Sequence, residues 1–207
     1  MGQVERAAMA AGQRWIIGVD EAGRGPLAGP VYAAAVMLDM RALETSWLKQ
    51  INDSKKLSEA KREALFDPIQ QGAVRWAIAH RSAQVIDEVN VLAATKQAMK
   101  EAVEAVASGH DIDCVYIDGN QFLDVALNQS CVVKGDGRSL HIGAASVLAK
   151  VARDRVMRAH DAQWPAYGFA KHKGYGTKAH REAIAQHGPI EIHRKTFGGV
   201  REHVRTT

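Results

Sequence analysis

Three short apolar runs in this 207-residue chain each stop at an acidic residue set against glycine. Trp15–Asp20 runs into Glu21 and Gly23, Val115–Asp118 into Gly119, and Cys131–Lys134 into Gly135-Asp136-Gly137. Apolar runs of this length bounded by glycine read as strands. If the first and fourth strands are parallel neighbours, their C-terminal ends lie side by side at the edge where open α/β sheets bind ligands. Asp20 and Asp118 then converge, and like charges held that close repel.

The rest of the pattern supplies such a sheet. A glycine- and proline-bearing loop leads from the first run to a second strand, Val31–Leu38. Ala73–Arg81 places Val74, Trp76 and Ile78 on one face as a third. Ser58 caps a helix through Ile69 whose stripe is Ala60, Ala64, Leu65 and Ile69. Gln84–Ala107 carries Val85, Val89, Leu92, Met99, Val103 and Val106 at near-helical spacing, as two helices in succession. A long helix from Ile142 to His160 and a shorter one from Lys178 to His187 follow the fifth strand, with Tyr167–Thr177 read as a loop between them. The predicted fold class is α/β: a mixed five-stranded sheet, three antiparallel strands then parallel ones, flanked by helices and with a helical C-terminal part. Residues 1–13 read as a frayed, flexible lead-in, 14–197 as one domain, and 198–207 as a basic tail in which Arg201, His203 and Arg205 are solvated.

The longest strongly apolar run, Val31–Leu38, is far short of the roughly 20 residues a spanning helix needs. No apolar signal core opens the chain, and Arg6 stands where an N-myristoylation signal wants Ser or Thr. A soluble, cytoplasmic protein without membrane association is expected. Cys114 and Cys131 lack a second Cys or a His at metal-ligand spacing and read as buried free thiols. Lysine and arginine number 27 against 23 acids, a net charge of +4 that binds a polyanion only if it is clustered.

Singly, each of Asp20, Glu21, Asp118 and Asp136 is an ordinary loop acid. Gathered, they are tolerable if partly protonated, if paired with Lys or Arg, or if bridged by divalent cations that favour hard oxygen ligands. The third option implies chemistry, since two ions roughly 3.5 to 4 Å apart activate a water and stabilise a leaving oxygen in displacement at phosphorus. Gly23, Gly25 and Gly29 do not form a dinucleotide fingerprint, because a strand and not a helix follows. Gly25-Pro26 suits a loop that brings backbone groups close to a ligand, with Arg24 free for a phosphate; a plain glycine hairpin is the alternative. Ser58-Glu59-Ala60-Lys61 matches Ser-x-x-Lys but reads as a helix cap. Lys55, Lys56, Lys134, Arg138, Lys150, Lys171, His172 and Lys173 gather near the same edge, and Tyr175, flanked by glycines, can offer its ring to a base or sugar or simply close a small core.

The run Val19-Asp20-Glu21-Ala22-Gly23-Arg24-Gly25-Pro26-Leu27-Ala28-Gly29-Pro30 resembles the opening signature of the ribonuclease HII family. Asp53-Ser54-Lys55-Lys56-Leu57, Asp118-Gly119-Asn120, Lys134-Gly135-Asp136, Ala144-Ala145-Ser146 through Lys150 to Arg153-Asp154, His172 to Thr177, and His193 to Phe197 resemble its later blocks in order. The resemblance spans about residues 15 to 197. It implies an RNase H-like fold and a catalytic domain that hydrolyses the RNA strand of RNA/DNA hybrids and nicks at single ribonucleotides in duplex DNA. Mg²⁺ or Mn²⁺ is the implied cofactor. Asp20, Glu21, Asp118 and Asp136 would be its ligands, Gly23, Arg24 and Gly25 would read the 2′-hydroxyl, and Tyr175 would stack on the next deoxyribose. Lys55, Lys56, Ser146 and Lys150 would be phosphate contacts, while mid-helix Asp154 is assigned a structural salt bridge.

The implied products carry 5′-phosphate and 3′-hydroxyl ends, and Asp136 would hold one metal or shuttle protons. A monomer is expected, with a replication or repair partner left open. Two alternatives stand beside this reading: an RNase H-like nuclease that cuts DNA alone, and a hybrid-binding module with vestigial acids. The Gly-Arg-Gly loop and Tyr175 separate the first, and Mg²⁺-dependent cleavage separates the second. Gly23→Ala is expected to blur the selection for RNA.

Overall fold

The computed structural model describes residues 2–41, 47–51 and 57–204. Helix α1 (Gln3–Ala10) precedes strands β1 (Ile16–Ala22) and β2 (Val31–Met37), helix α2 (Glu59–Gly72) and strand β3 (Arg75–Arg81). Helices α3 (Ala83–Val89) and α4 (Val91–Ala107) lead to β4 (Cys114–Asp118) and β5 (Gln129–Val132). Helices α5 (Leu140–Gln163), α6 (Phe169–His172) and α7 (Lys178–His187) complete the chain. One sheet runs in the order β3-β2-β1-β4-β5, antiparallel across the first three strands and parallel from β1 to β4 and from β4 to β5.

Both faces of the sheet are covered, which is why β1 and β2 are apolar almost throughout rather than alternating. Ile17, Val19, Ala33, Ala35 and Met37 pack with Ala98, Met99 and Val103 of α4. Ala22, Ala34 and Val36 pack on the other face with Ala144, Ala145, Val147 and Leu148 of α5. At Gly18 the helix lies directly on the strand: a Cβ there would sit 2.3 Å from the His141 carbonyl carbon. Glycine is therefore what lets α5 approach β1 closely enough to bring its side chains to the sheet edge.

Local chemistry sets the helix starts. Ser58 accepts a hydrogen bond from the Lys61 N–H, so the Ser-x-x-Lys match is a cap. Asn90, at φ 69°, separates α3 from α4 and caps the second through the N–H groups of Leu92 and Ala93, each at 3.0 Å.

Four expectations need correction. Residues 3–10, expected to fray, form a helix because Glu5 is wholly buried against the start of α5. Its Oε1 accepts from Ser139 Oγ at 2.6 Å, Leu140 N–H at 2.8 Å and His141 N–H at 3.4 Å, and lies 3.1 Å from His141 Nδ1. Burial alone would raise the Glu5 pKa, but the His141 and Ser139 contacts bring it below the ordinary carboxylate value. Within Tyr167–Thr177, α6 forms one helical turn between Gly168 and Lys173, both left-handed, with Phe169 buried. The supposed tail is anchored by Val200, buried with Phe169 and Ile184, before Arg201–His203 emerge into solvent. Finally, Cys114 is buried but Cys131, on edge strand β5, is only half-buried; both are free thiols. Among the described residues no helix is long and apolar enough to cross a membrane.

Because Glu5 closes the N-terminus of the helix that carries Ser146 and Lys150, Glu5→Gln is expected to cost about 2 kcal/mol of stability. Urea unfolding at neutral pH checks this. A variant as stable as the parent would remove the cap from the account.

Candidate active site

Parallel pairing puts the acids together. The last β1–β4 register pair is Val19 with Ile117, so the next residues along, Asp20 and Asp118, lie abreast. Asp20 does not end its strand as expected: β1 continues to Ala22 because antiparallel pairing with β2 runs on to Ala22 and Tyr32 after pairing with β4 has stopped. A cavity of about 210 Å³ opens there, lined by Asp20, Glu21, Gly23, Arg24, Gly25, Asp118, Ser146, Lys150 and Tyr175 among others. The expected carboxylates except Asp136, the Gly-Arg-Gly loop, the α5 side chains and the exposed tyrosine thus share one opening.

Each carboxylate already has a partner. Asp20, 3% exposed, accepts the Glu21 N–H at 2.7 Å and a hydrogen bond from Ser146. Glu21 lies 3.3 Å from Arg24 Nη1. Asp118 Oδ1 accepts the Gly135 N–H at 2.7 Å, which ties β4 to the turn holding buried Asp136. Among the described residues no three His, Cys, Asp or Glu side chains stand gathered as a ready-made ligand set. The donor chemistry nonetheless fits a divalent cation. Burial, then the negative charges of Glu21 and Asp118, push the Asp20 pKa well above its ordinary value. Lys150, whose ammonium is itself disfavoured by burial, is held by Asp154 at 2.7 Å. Hard oxygen donors with excess negative charge are what such a cation satisfies.

Ser146, Lys150 and Arg153 lie at helical spacing along α5 and bridge the site to its walls. Asp154 pairs with Lys150, the structural salt bridge expected of it. Arg153, fully buried, donates to the carbonyls of Pro30 at 2.9 Å, Lys173 at 2.9 Å and Ala28 at 3.1 Å. Arg194, also fully buried, donates to the carbonyls of Gly23, Arg24 and Gly29. Sequence reasoning gave neither arginine a role: beside Asp154 and Lys195 each reads as one more solvated charge, and the backbone carbonyls that both hold leave no sequence signal.

Glycine is required at 23. Its φ is +99°, and a Cβ there would lie 2.1 Å from Arg153 Nε. Gly23→Ala is therefore expected to disrupt the loop and destabilise the fold instead of selectively blurring RNA recognition. Gly25 differs: its φ is not left-handed, and a Cβ would meet only the Tyr175 ring, at 3.7 Å. Gly25 and Tyr175 thus face one another as two walls of a slot.

The tyrosine wall is held by histidines. The Ile190 N–H donates to His193 Nδ1 at 3.0 Å, so His193 donates from Nε2 to His180 Nε2 at 3.1 Å. His180 in turn donates from Nδ1 to the Tyr175 carbonyl at 2.9 Å. Beside it, 4.4 Å away ring to ring, His172 accepts the Gly174 N–H and donates to the Tyr167 carbonyl.

The basic residues divide. Lys134, Arg138 and Lys171 are exposed, and of the described residues expected to gather at this edge Lys150 lines the cavity. Lys173 is instead buried, its ammonium on the Ala170 carbonyl and 3.5 Å from Glu59. Lys55 and Lys56 lie outside the described residues.

Acids abreast on the central strand β1 and its parallel neighbour β4, in a sheet ordered β3-β2-β1-β4-β5 beneath a long helix, define a nuclease of the ribonuclease H type. The family described as Ribonuclease HII matches residues 17–200. A ribonuclease HII of Geotalea daltonii is 50% identical over 190 residues, covering 92% of this chain and 85% of the relative. The crystal structure of ribonuclease H2 from Pyrococcus horikoshii superposes with a TM-score of 0.75 at 25% identity, covering 91% of this chain and 96% of that one. Bst-RNase HIII in complex with Mn²⁺ shares the fold, at a TM-score of 0.72 and 17% identity over 95% of this chain and 71% of that one. The chain belongs to the ribonuclease HII family and is a ribonuclease H, an endonucleolytic hydrolase.

Proposed function

We propose that the enzyme cleaves the RNA strand of RNA/DNA hybrids and nicks duplex DNA on the 5′ side of a single embedded ribonucleotide, leaving 5′-phosphate and 3′-hydroxyl ends. The observation that carries this reading is the shared opening: hard carboxylate donors on one side, a backbone loop and an exposed aromatic ring on the other. Asp20, Glu21 and Asp118, with Asp136 one turn behind, would hold Mg²⁺ or Mn²⁺, as the Mn²⁺ complex of the ribonuclease HIII relative encourages. When bound, divalent cations supply activation of water and charge neutralisation at the departing oxygen. Ser146 keeps Asp20 oriented, and Lys150 offers positive charge to a phosphate at the cavity wall. The 2′-hydroxyl is the group that separates RNA from DNA at one position, and the N–H groups of the Gly23-Arg24-Gly25 loop would receive it. Tyr175, 45% exposed, has the free ring face that stacking on the following sugar requires. Lys55 and Lys56 remain proposed phosphate contacts.

Incubation with a duplex bearing one ribonucleotide, with and without Mg²⁺ or Mn²⁺, and mapping of the nick tests the reading. Equal cleavage of an all-DNA duplex would overturn it, and so would cleavage indifferent to chelation. Gly25→Ala, which narrows the slot against Tyr175 without straining the backbone, is expected to lower kcat/KM for the single-ribonucleotide substrate by about tenfold or more at unchanged thermal stability. Parent-like kinetics in that variant would detach the slot from substrate binding.

A further inference from the structure

The guanidinium of Arg194 lies behind the Gly23-Arg24-Gly25 loop and makes no ion pair among the described residues. Nη1 donates to the Arg24 carbonyl at 2.8 Å, Nη2 to Gly23 at 2.5 Å and Gly29 at 2.9 Å, and Nε to Gly29 at 3.0 Å. Its own segment is fixed from two sides. The Arg194 N–H donates to the Leu27 carbonyl at 2.9 Å, and the N–H groups of Lys195 and Thr196 donate to Asp87 at 2.8 and 3.0 Å. The Phe197 ring lies 5.1 Å from the guanidinium carbon.

The peptide bonds of the loop are trans, so each carbonyl points opposite to the N–H of the residue after it. Holding the Gly23 carbonyl inward turns the Arg24 N–H outward, and holding the Arg24 carbonyl inward does the same for the Gly25 N–H. Those two N–H groups have no acceptor among the described residues, and both residues line the cavity. Two successive outward N–H groups make a small concave donor site suited to one electronegative oxygen. A buried cation bound only by neutral carbonyls is costly unless its donors are satisfied. Here a rigid fork satisfies them with three carbonyls at once, which a lysine's single ammonium cannot reproduce.

We infer that Arg194 is a positioning residue for RNA selection: it holds the two peptide units whose N–H groups face the substrate's 2′-hydroxyl. The inference rests on the proposed reading of the loop and extends it to a residue that never touches substrate. Burial and the neighbouring charge of Arg153 lower its pKa to about 9, so the fork keeps its proton at neutral pH.

Arg194→Lys and Arg194→Gln are compared with the parent and with Gly25→Ala, after near-ultraviolet circular dichroism establishes which are folded. The readout is the ratio of kcat/KM on a duplex with one ribonucleotide to that on the same duplex with deoxyribose there. Arg194→Lys is expected to lower this ratio about tenfold or more, chiefly by slowing the ribonucleotide substrate. A uniform loss on both substrates, with the ratio altered in Gly25→Ala, overturns the role of Arg194 and leaves the loop reading intact. A ratio unaltered in all variants overturns both.

If neither arginine variant folds, hydrogen exchange on the parent decides. The Arg24 and Gly25 amides must exchange as solvent-facing groups in the free enzyme and slow only on the ribonucleotide duplex in the presence of Ca²⁺. Protection of either amide in the free enzyme overturns the inference.

Discussion

Asp118→Asn is expected to reduce metal-dependent cleavage by on the order of 10³-fold, equivalent to about 4 kcal/mol on the barrier, while leaving duplex affinity close to that of the parent. The amide keeps the shape of the side chain and can still accept the Gly135 N–H. It removes one of the charges that raise the Asp20 pKa, so the folded state loses a repulsion and gains nothing unfavourable in return. The expected signature is therefore an inactive enzyme that unfolds at the same or a higher temperature. Asp20→Asn should behave alike in cleavage. Parent-like turnover in either variant would remove the carboxylates from the chemistry, and parallel loss of binding and melting temperature would make their role structural.

The second large effect is acid instability from the histidine chain behind Tyr175. Burial lowers the pKa of His180 to about 4, and burial together with the charge of its neighbour lowers His193 to about 4 as well. In the unfolded chain both titrate near 6.5. Above that pH the two states bind equal numbers of protons at these sites, and the stabilisation is fully present. As pH falls from about 6.5 towards 4 the unfolded state takes up protons that the folded state refuses, so stability declines through that window and levels off below it. Each imidazole contributes roughly 3 kcal/mol. Urea midpoints measured across this range should fall steeply for the parent and less so for His193→Gln. A flat profile would contradict the neutral, fully bonded arrangement. Because His180 holds the Tyr175 carbonyl, selectivity should decline before the global fold does.

Much of this arrangement can be read from the residue pattern, and the reasons are local. Apolar runs ending in Asp20 and Asp118, with a helical crossover between, leave few ways to build a sheet, and right-handed parallel pairing then sets those two acids abreast. Asn90 between two apolar periodicities marks the break between α3 and α4 because its side chain caps the second helix. Helix α1 is not legible in the same way. Its apolar stripe is only Val4 and Ala8, too short to nominate a helix, and its buried carboxylate lies 134 residues from the hydroxyl whose hydrogen bond it accepts. Arg194 looks like a surface cation for the same reason, since its partners are backbone carbonyls with no sequence signature, and Lys173 does because its partners are the Ala170 carbonyl and Glu59, 114 positions earlier. Asp136 is legible as a strand-end acid, but its place near Asp118 comes from the β4–β5 register, which pairs Asp118 with Val132, and from the Gly135 N–H that Asp118 accepts. Gly23 shows the difference most directly. Sequence marks it as a loop glycine, whereas its intolerance of a methyl group comes from Arg153, 130 positions later.

The two buried arginines also impose an order on biosynthesis. The loop that begins at residue 23 has its carbonyls satisfied by side chains from positions 153 and 194, made 130 and 171 residues later. During translation this loop waits, with its polar groups hydrated, until residue 194 has emerged from the ribosome. A growing chain therefore carries Asp20 and Glu21 long before it carries the arginine frame that holds the loop beside them.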